Sequence, residues 1–140
     1  MATLTTKITE SVTVNSKVYG ATNTMSITGV NNVYETVVTI GTTAATAIDF
    51  VASAPTFGSV LEGDLKYLRI TNTDASNGVN IIITLKGASD KYKQTIGPGK
   101  SYIITSDTIS FDGGSAGFME HIILDAVTAD VECEFFLATA

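Results

Sequence analysis

The sequence is poor in the residues that carry most protein chemistry. It contains one His, one Cys and no Trp among 140 residues. A single Cys excludes a disulfide within the chain, and no second Cys or clustered His completes a zinc site. The sequence therefore predicts no metal, no cofactor and no catalytic centre, so the protein is expected not to be an enzyme.

Charged residues are also scarce. They make up 16% of the sequence, whereas an ordinary soluble domain has about 25%. The mean hydropathy is +0.28, which is high for a small protein with much surface per unit volume. A lone monomer of this composition would be prone to association. We therefore expect copies of the same chain, or another protein, to cover much of its surface.

The two signs of charge are unevenly distributed. All 8 basic residues precede Ser101, and every charged residue from there onward is an acid. The net charge of -6 and the lack of a basic patch argue against nucleic acid as a partner. The asymmetry would suit a homo-oligomer in which the basic part of one subunit meets the acidic part of the next. Simple solvation of both parts is the alternative.

Long apolar runs are missing as well. No segment is long enough to span a bilayer, and the first residues lack the basic stretch and apolar run of a signal peptide. The sequence therefore predicts no membrane partner, and it predicts synthesis in a cytoplasm. Its length predicts one domain over residues 1–140.

The chain does contain short blocks in which every second residue is apolar. The clearest are 66–72 and 79–85, separated by a polar turn that predicts a hairpin. Thr, Val and Ile, which suit strands, are abundant, and no stretch has a helical period. Eight or more short strands predict an all-β fold, a two-sheet antiparallel β-sandwich that is jelly-roll-like.

Several segments have individual expectations. Residues 1–7 are polar and predict either a first strand or an extended arm laid on a neighbour. Asn15 and Ser16 predict a two-residue turn. Residues 33–40 are apolar in both phases, which predicts a strand covered on both sides. Residues 41–58 lack periodicity and predict a long loop or contact segment, which includes Phe57.

Two single residues could carry chemistry. His121 shares its phase with Met119 and Ile123, and the sequence places no nucleophile or orienting partner beside it. Cys133 shares its phase with other apolar residues, which predicts a buried thiol with a raised pKa. Both residues are therefore expected to be structural.

Two sets of residues are candidates for contacts between subunits. Tyr67 and Arg69 share the strand face opposite Leu68 and Ile70, and Tyr and Arg are enriched at interfaces. An ordinary exposed strand face is the alternative. The second set is a row of carboxylates at every second position, which predicts a solvated face, a subunit contact or, less readily, a Ca²⁺ site: Asp130, Glu132 and Glu134.

Several stretches resemble small virion structural proteins of tailed bacteriophages, particularly marine ones. They are residues 8–17, the strand 67–74, the turn 97–101 and the ending 130–140. The resemblance implies a non-enzymatic β-sandwich located on the virion, where it assembles with copies of itself and with other virion proteins such as the major capsid protein. Capsid decoration or cementing is the function expected first. A tail, connector or fibre component with a glycan-binding sandwich is the alternative.

Overall fold

The computed structural model describes residues 1–53, 58–89, 91–109 and 117–140. These residues form strands and no helix. The strands are β1 (Ala2–Thr9), β2 (Val12–Val14), β3 (Lys17–Tyr19), β4 (Thr22–Val30), β5 (Asn32–Ile40), β6 (Ala45–Val51), β7 (Ser59–Leu61), β8 (Leu65–Asn72), β9 (Val79–Leu85), β10 (Lys91–Ile96), β11 (Ser101–Ile104), β12 (Thr108–Ile109), β13 (Gly117–Ala126) and β14 (Val131–Thr139). The all-β prediction is confirmed.

Two sheets enclose the main core. The first has the order β10-β9-β13-β6-β7, with β12 added to β13, and the second has the order β11-β8-β14-β5. Every pairing is antiparallel except that of β6 with β7. Side chains from both sheets form one buried cluster, which includes Leu68 and Ile70 from one sheet and Ile81 and Ile122 from the other. This arrangement is a β-sandwich, while its jelly-roll connectivity stays a prediction.

The chain repeatedly crosses from one sheet to the other, and this corrects the predicted hairpin. The strands at 66–72 and 79–85 exist, but β8 lies in the second sheet and β9 in the first. The closing strands β13 and β14 are likewise in different sheets. The period-two pattern shows which residues form strands, but both members of each pair are largely buried, so the pattern cannot show which strands are partners.

The corner after β8 is organised by one buried amide. Asn72 is fully buried, and its Nδ2 donates to the carbonyls of Asn77 at 2.8 Å and Ile96 at 3.1 Å. Its Oδ1 accepts from the backbone N–H of Asp74 at 3.0 Å. The Asp74 carboxylate in turn accepts from two backbone N–H groups, which lowers its pKa. These bonds direct the chain from the second sheet towards the first.

One side of the sandwich is closed by tyrosines. Tyr92 on β10 and Tyr102 on β11 have ring centroids 6.2 Å apart, and they bring together the edge strands of the two sheets on that side. Burial, with a hydrogen bond and charge interaction from Tyr92, raises the pKa of Tyr102 to about 12.

The opposite side contradicts two expectations. Residues 33–40 were predicted to be covered on both faces, but β5 is the last strand of its sheet among the described residues, and most of its apolar side chains are exposed. Residues 41–58 were predicted to be a long loop or a contact segment, and the loop is wrong because β6 lies within them and pairs with β13. The short buried stripe of β6, Ile48 and Phe50, was too brief to outweigh the surrounding Ala and Thr. The contact segment stays a prediction.

The first thirty residues form a long two-stranded ribbon. β1 pairs with β4, and β2 with β3, around a turn at Asn15 and Ser16 with φ of 50° and 64°. Positive φ at both central residues is the geometry of a type I′ hairpin turn, so the predicted turn is confirmed. Residues 1–7 lie in the ribbon, on their own chain.

Candidate interaction surfaces

The base of the ribbon lies on the outer face of the second sheet. There, Tyr67 is 4% exposed and clusters with Val30 and Ala138. The ring of Phe136 meets that of Tyr67 edge to face, with centroids 6.0 Å apart. Leu4, Met25 and Ile27 pack on the same cluster. Tyr67, predicted as an anchor between subunits, is therefore covered by its own chain as long as the ribbon stays in place.

Arg69 pairs with one of the three predicted carboxylates, while the other two lie apart from it. Arg69 forms an ion pair with Glu134 of the same chain and donates to the Thr71 hydroxyl at 2.6 Å. Glu132 lies on the same outer face and is exposed, whereas Asp130 precedes the strand. The predicted row is thus two carboxylates on one strand face, one of them already neutralised by a cation.

Neither a metal centre nor a membrane span emerges from the described part of the chain. Within it, no three His, Cys, Asp or Glu side chains are grouped so that they could hold a metal ion. No helix in that part has the length and apolar character needed to cross a bilayer. Phe57, the other predicted contact residue, lies outside the described residues.

The outer part of the ribbon forms the first exposed apolar surface. Every residue from Lys7 to Thr24 is exposed. We call residues 10–21 the ribbon tip. Val12, Val14 and Tyr19 lie on one of its faces, because Val12 is opposite Tyr19 and Val14 is opposite Lys17 in the register. Val18, on the other face, is 66% exposed.

The second apolar surface is a groove of about 630 Å³ on the open side of the sandwich, between β5 and the strands β6 and β7. Its walls include Tyr34 and Val38 from β5, Ile48 and Val60 from the other sheet, and Leu137 from β14. Asp64 is the one charged side chain among the described residues that line it. The outer face of β5 has two exposed valines, Val33 and Val37, of which Val37 is 58% exposed.

The two surfaces lie at opposite edges of the second sheet. The ribbon base contacts β14 and β8 through Phe136 and Tyr67, and a shallow cleft farther out is lined by Lys7, Ile8 and Ile103 of β11. The ribbon therefore runs across the sheet towards β11, whereas β5 is the last strand on the other side. Three strand spacings, roughly 14 Å, separate these edges.

One polar cluster occupies the outer face of the first sheet. His121 Nε2 lies 3.3 Å from the Asp49 carboxylate, and Nδ1 lies 3.2 Å from the Thr84 hydroxyl. The sequence did not indicate this grouping, and a bulge after Met119 separates that residue, in the core, from His121 on the surface. Thr84 is buried, and its hydroxyl also accepts from the His121 backbone N–H at 3.1 Å. These bonds join β13 to its neighbours, which gives the cluster a structural role.

Cys133 is buried in the main core, as predicted. Burial raises the pKa of its thiol from 9.0 to about 11.

Since the folded state holds the proton of the Cys133 thiol more tightly than the unfolded chain does, the thiol stabilises the fold fully below pH 9. That contribution is lost between pH 9 and 11. We expect the free energy of unfolding to fall by about 2 to 3 kcal/mol more in the parent than in Cys133→Ala over this range, because one pKa unit corresponds to about 1.4 kcal/mol. Urea denaturation of both proteins at pH 8 and pH 11 measures the difference, and equal losses would contradict it.

The sequence did not predict that the ribbon tip and the groove would be exposed apolar surfaces. Apolar residues at positions 12, 14, 18 and 19 around the Asn15-Ser16 turn were the available signal for the ribbon tip. The apolar strand at 33–40 was identified but assigned to the interior.

Comparisons with family models, with curated proteins and with solved structures find no match to this chain.

Proposed function

We propose that this protein is a non-enzymatic structural component of a virus particle, of the kind that decorates or cements a capsid and contacts copies of itself and the major capsid protein. The observation that carries the proposal is the exposure of two extended apolar surfaces, the ribbon tip and the groove with β5. Clusters of exposed apolar side chains mark surfaces at which proteins associate. The resemblance to virion proteins favours a phage particle as the assembly.

The low charge content supports the same function. Few charges are available to solvate the exposed apolar side chains, and the ribbon tip has Glu10 and Lys17 as its charged residues. Covering these surfaces by association removes apolar area from water, which is worth about 25 cal/mol per Å² before the entropic costs of binding. An assembled state is therefore the stable environment for such a chain.

The test is the mass of the full chain in solution. Light scattering over a series from micromolar to millimolar protein should show association that increases with concentration. The labelled protein should also sediment with particles of the virus that encodes it. A chain that stays monomeric throughout and remains in the supernatant would overturn the proposal. Association without particle binding would remove the capsid role.

A second function is favoured by one observation. Tyr34 is 49% exposed at the groove, and an exposed aromatic ring can stack on a sugar face, as a glycan-binding tail or fibre component would require. A glycan array with the parent and Tyr34→Ala tests this function. A specific glycan signal that the substitution abolishes would favour it, and an array without specific signals would exclude it for the glycans present.

A further inference from the structure

We propose that the ribbon tip of one copy adds as a strand to β5 of a second copy and places its apolar face in the groove. This inference rests on the proposed assembly function and specifies the contact between subunits. The occupant of the groove is thus a segment of the same chain.

The acceptor is an edge strand without the usual protection. β5 is nine residues long, pairs with β14 in continuous register, and within the described chain has its other edge open. Natural edge strands are generally short, bulged, interrupted by Pro or rich in charge, because an open edge recruits other strands. β5 has no bulge and no Pro, and Glu35 is its one charged residue. Such an edge suits strand addition, in which backbone bonds give affinity and side-chain pockets give specificity.

The ribbon tip, which is the donor strand, has apolar residues at the same two-residue spacing as β5. Tyr34, Thr36 and Val38 are alternate residues of β5 and face the groove. A strand added beside β5 presents alternate residues to the same groove. On the ribbon tip, Val12 and Val14 are two residues apart on one face, with Tyr19 beside Val12. These three side chains therefore continue the apolar wall of the groove.

The charges are complementary as well. Asp64 is the one charged side chain among the described residues that line the groove, and no Lys or Arg is included among them. Lys17 lies opposite Val14 on the apolar face of the ribbon tip, with its ammonium 5.1 Å from the centre of the Tyr19 ring. With the ribbon tip in the groove, Lys17 is the cation that can meet Asp64. Rim pairs of this kind contribute more to orientation than to affinity.

Geometry requires the donor and the acceptor to come from different copies. The ribbon runs towards β11, while β5 is at the other edge of the sheet. The ribbon tip therefore cannot reach the groove of its own chain. A contact between opposite edges is heterologous, so each copy uses its tip on one neighbour and its groove on another, and the assembly is a ring or an open filament.

The experiment compares substitutions on the two faces of each strand. Val12→Glu with Val14→Glu alters the donor, and Val18→Glu on the other face of the ribbon is its control. Val38→Glu alters the acceptor, and Val37→Glu on the outer face of β5 is its control. All five side chains are exposed, so the variants should keep the parent circular dichroism and melting temperature, which are measured first.

Burying a Glu in an apolar contact should weaken self-association, measured by sedimentation equilibrium, by roughly a hundredfold or more in Kd, because an unpaired buried charge costs several kcal/mol. Val18→Glu and Val37→Glu should change it by less than about threefold, as exposed substitutions do. If the controls weaken association as much as the test variants, or the test variants associate like the parent, the proposal is wrong.

Mixing the two impaired variants gives a sharper test. The donor variant retains an intact groove, and the acceptor variant retains an intact ribbon tip, so together they can form one interface. The mixture should give a dimer with one copy of each variant that does not grow further, while each variant alone stays monomeric. A mixture that remains monomeric would overturn this contact. A parent chain that never associates instead refutes the proposed function itself, so the two failures are distinguishable.

Discussion

Replacing Asn72 with Asp should lower the free energy of unfolding at pH 7 by about 3 kcal/mol or more. The Asn72 side chain is fully buried and donates to two carbonyls, those of Asn77 and Ile96. An ionised carboxyl has no proton to donate, so both carbonyls lose their donor and face a negative charge. Each buried polar group left without a partner costs about 1 to 3 kcal/mol, and a buried unpaired charge costs more.

The loss should depend on pH in a defined direction. The new carboxyl would be buried against two carbonyl oxygens, so its pKa in the folded state lies above its pKa in the unfolded chain. Protonation then restores one of the two donors. The destabilisation relative to the parent should therefore shrink as the pH falls from 7 towards 4.

Asn80→Asp is the matched control. Asn80 is also buried, but its Oδ1 accepts a hydrogen bond from the Thr95 hydroxyl at 2.8 Å, and a carboxylate keeps that acceptor. The new carboxylate also lies opposite Asp125 on β13, and this repulsion adds to its cost. We expect a total loss of less than half that of Asn72→Asp. Urea denaturation of both variants and the parent, at several pH values, measures the three free energies. Equal losses for the two substitutions would show that the corner amide has no special role.

The network around Asn72 also shows which part of the fold the sequence could not predict. The polar stretch 73–78 indicates a turn, and the flanking stripes indicate strands, and both features are present. At the crossing between sheets, Asn72 donates to the carbonyl of Ile96, 24 residues later. A contact between residues so far apart along the chain does not affect the periodicity of a single sequence. The strands could therefore be predicted, and their partners could not.

The exposure of β5 on the open side of the sandwich likewise could not be predicted from the local sequence pattern. The apolar residues of β5 resemble those of a covered strand, but coverage depends on whether another strand reaches them. Tyr34 and Val38 point to the inner side of the sandwich and are still exposed, because the first sheet leaves a groove beside them. The sequence thus identified the apolar residues of this strand and the low charge content. The position of that surface required the topology.

The sequence predicts that Tyr67 anchors a contact between subunits, whereas its contacts in the structure are with its own chain. The alternation of Tyr67 and Arg69 with Leu68 and Ile70 is confirmed, since Leu68 and Ile70 are in the core. Nothing in the local pattern indicates that a ribbon formed by the first thirty residues covers the opposite face. The interface anchor that the sequence predicts therefore acts, in this chain, between the sandwich and its own ribbon.

Replacing Tyr67 with Ala should lower the free energy of unfolding by about 3 to 5 kcal/mol, as removal of a buried aromatic side chain does. The ring contacts Phe136, and the ribbon residues Leu4, Met25 and Ile27 pack on this cluster. Because Lys7 to Thr24 are all exposed, this cluster is the main attachment of the ribbon. The amides of β1 and β4 should therefore exchange with deuterium faster, while those of β9 and β13 should keep the protection that the lowered global stability allows.

Tyr34→Ala is the matched control, because Tyr34 is in the same sheet but half-exposed. It should cost less than about 1 kcal/mol and leave the exchange of β1 and β4 unchanged. If Tyr67→Ala accelerated exchange equally in all strands, the ribbon would be part of one cooperative unit with the sandwich. If exchange accelerates more in β1 and β4 than in β9 and β13, the ribbon can detach while the sandwich stays folded. A ribbon that moves freely loses its fixed direction towards β11, so Tyr67→Ala should also weaken the proposed association between copies, although Tyr67 is buried within its own chain.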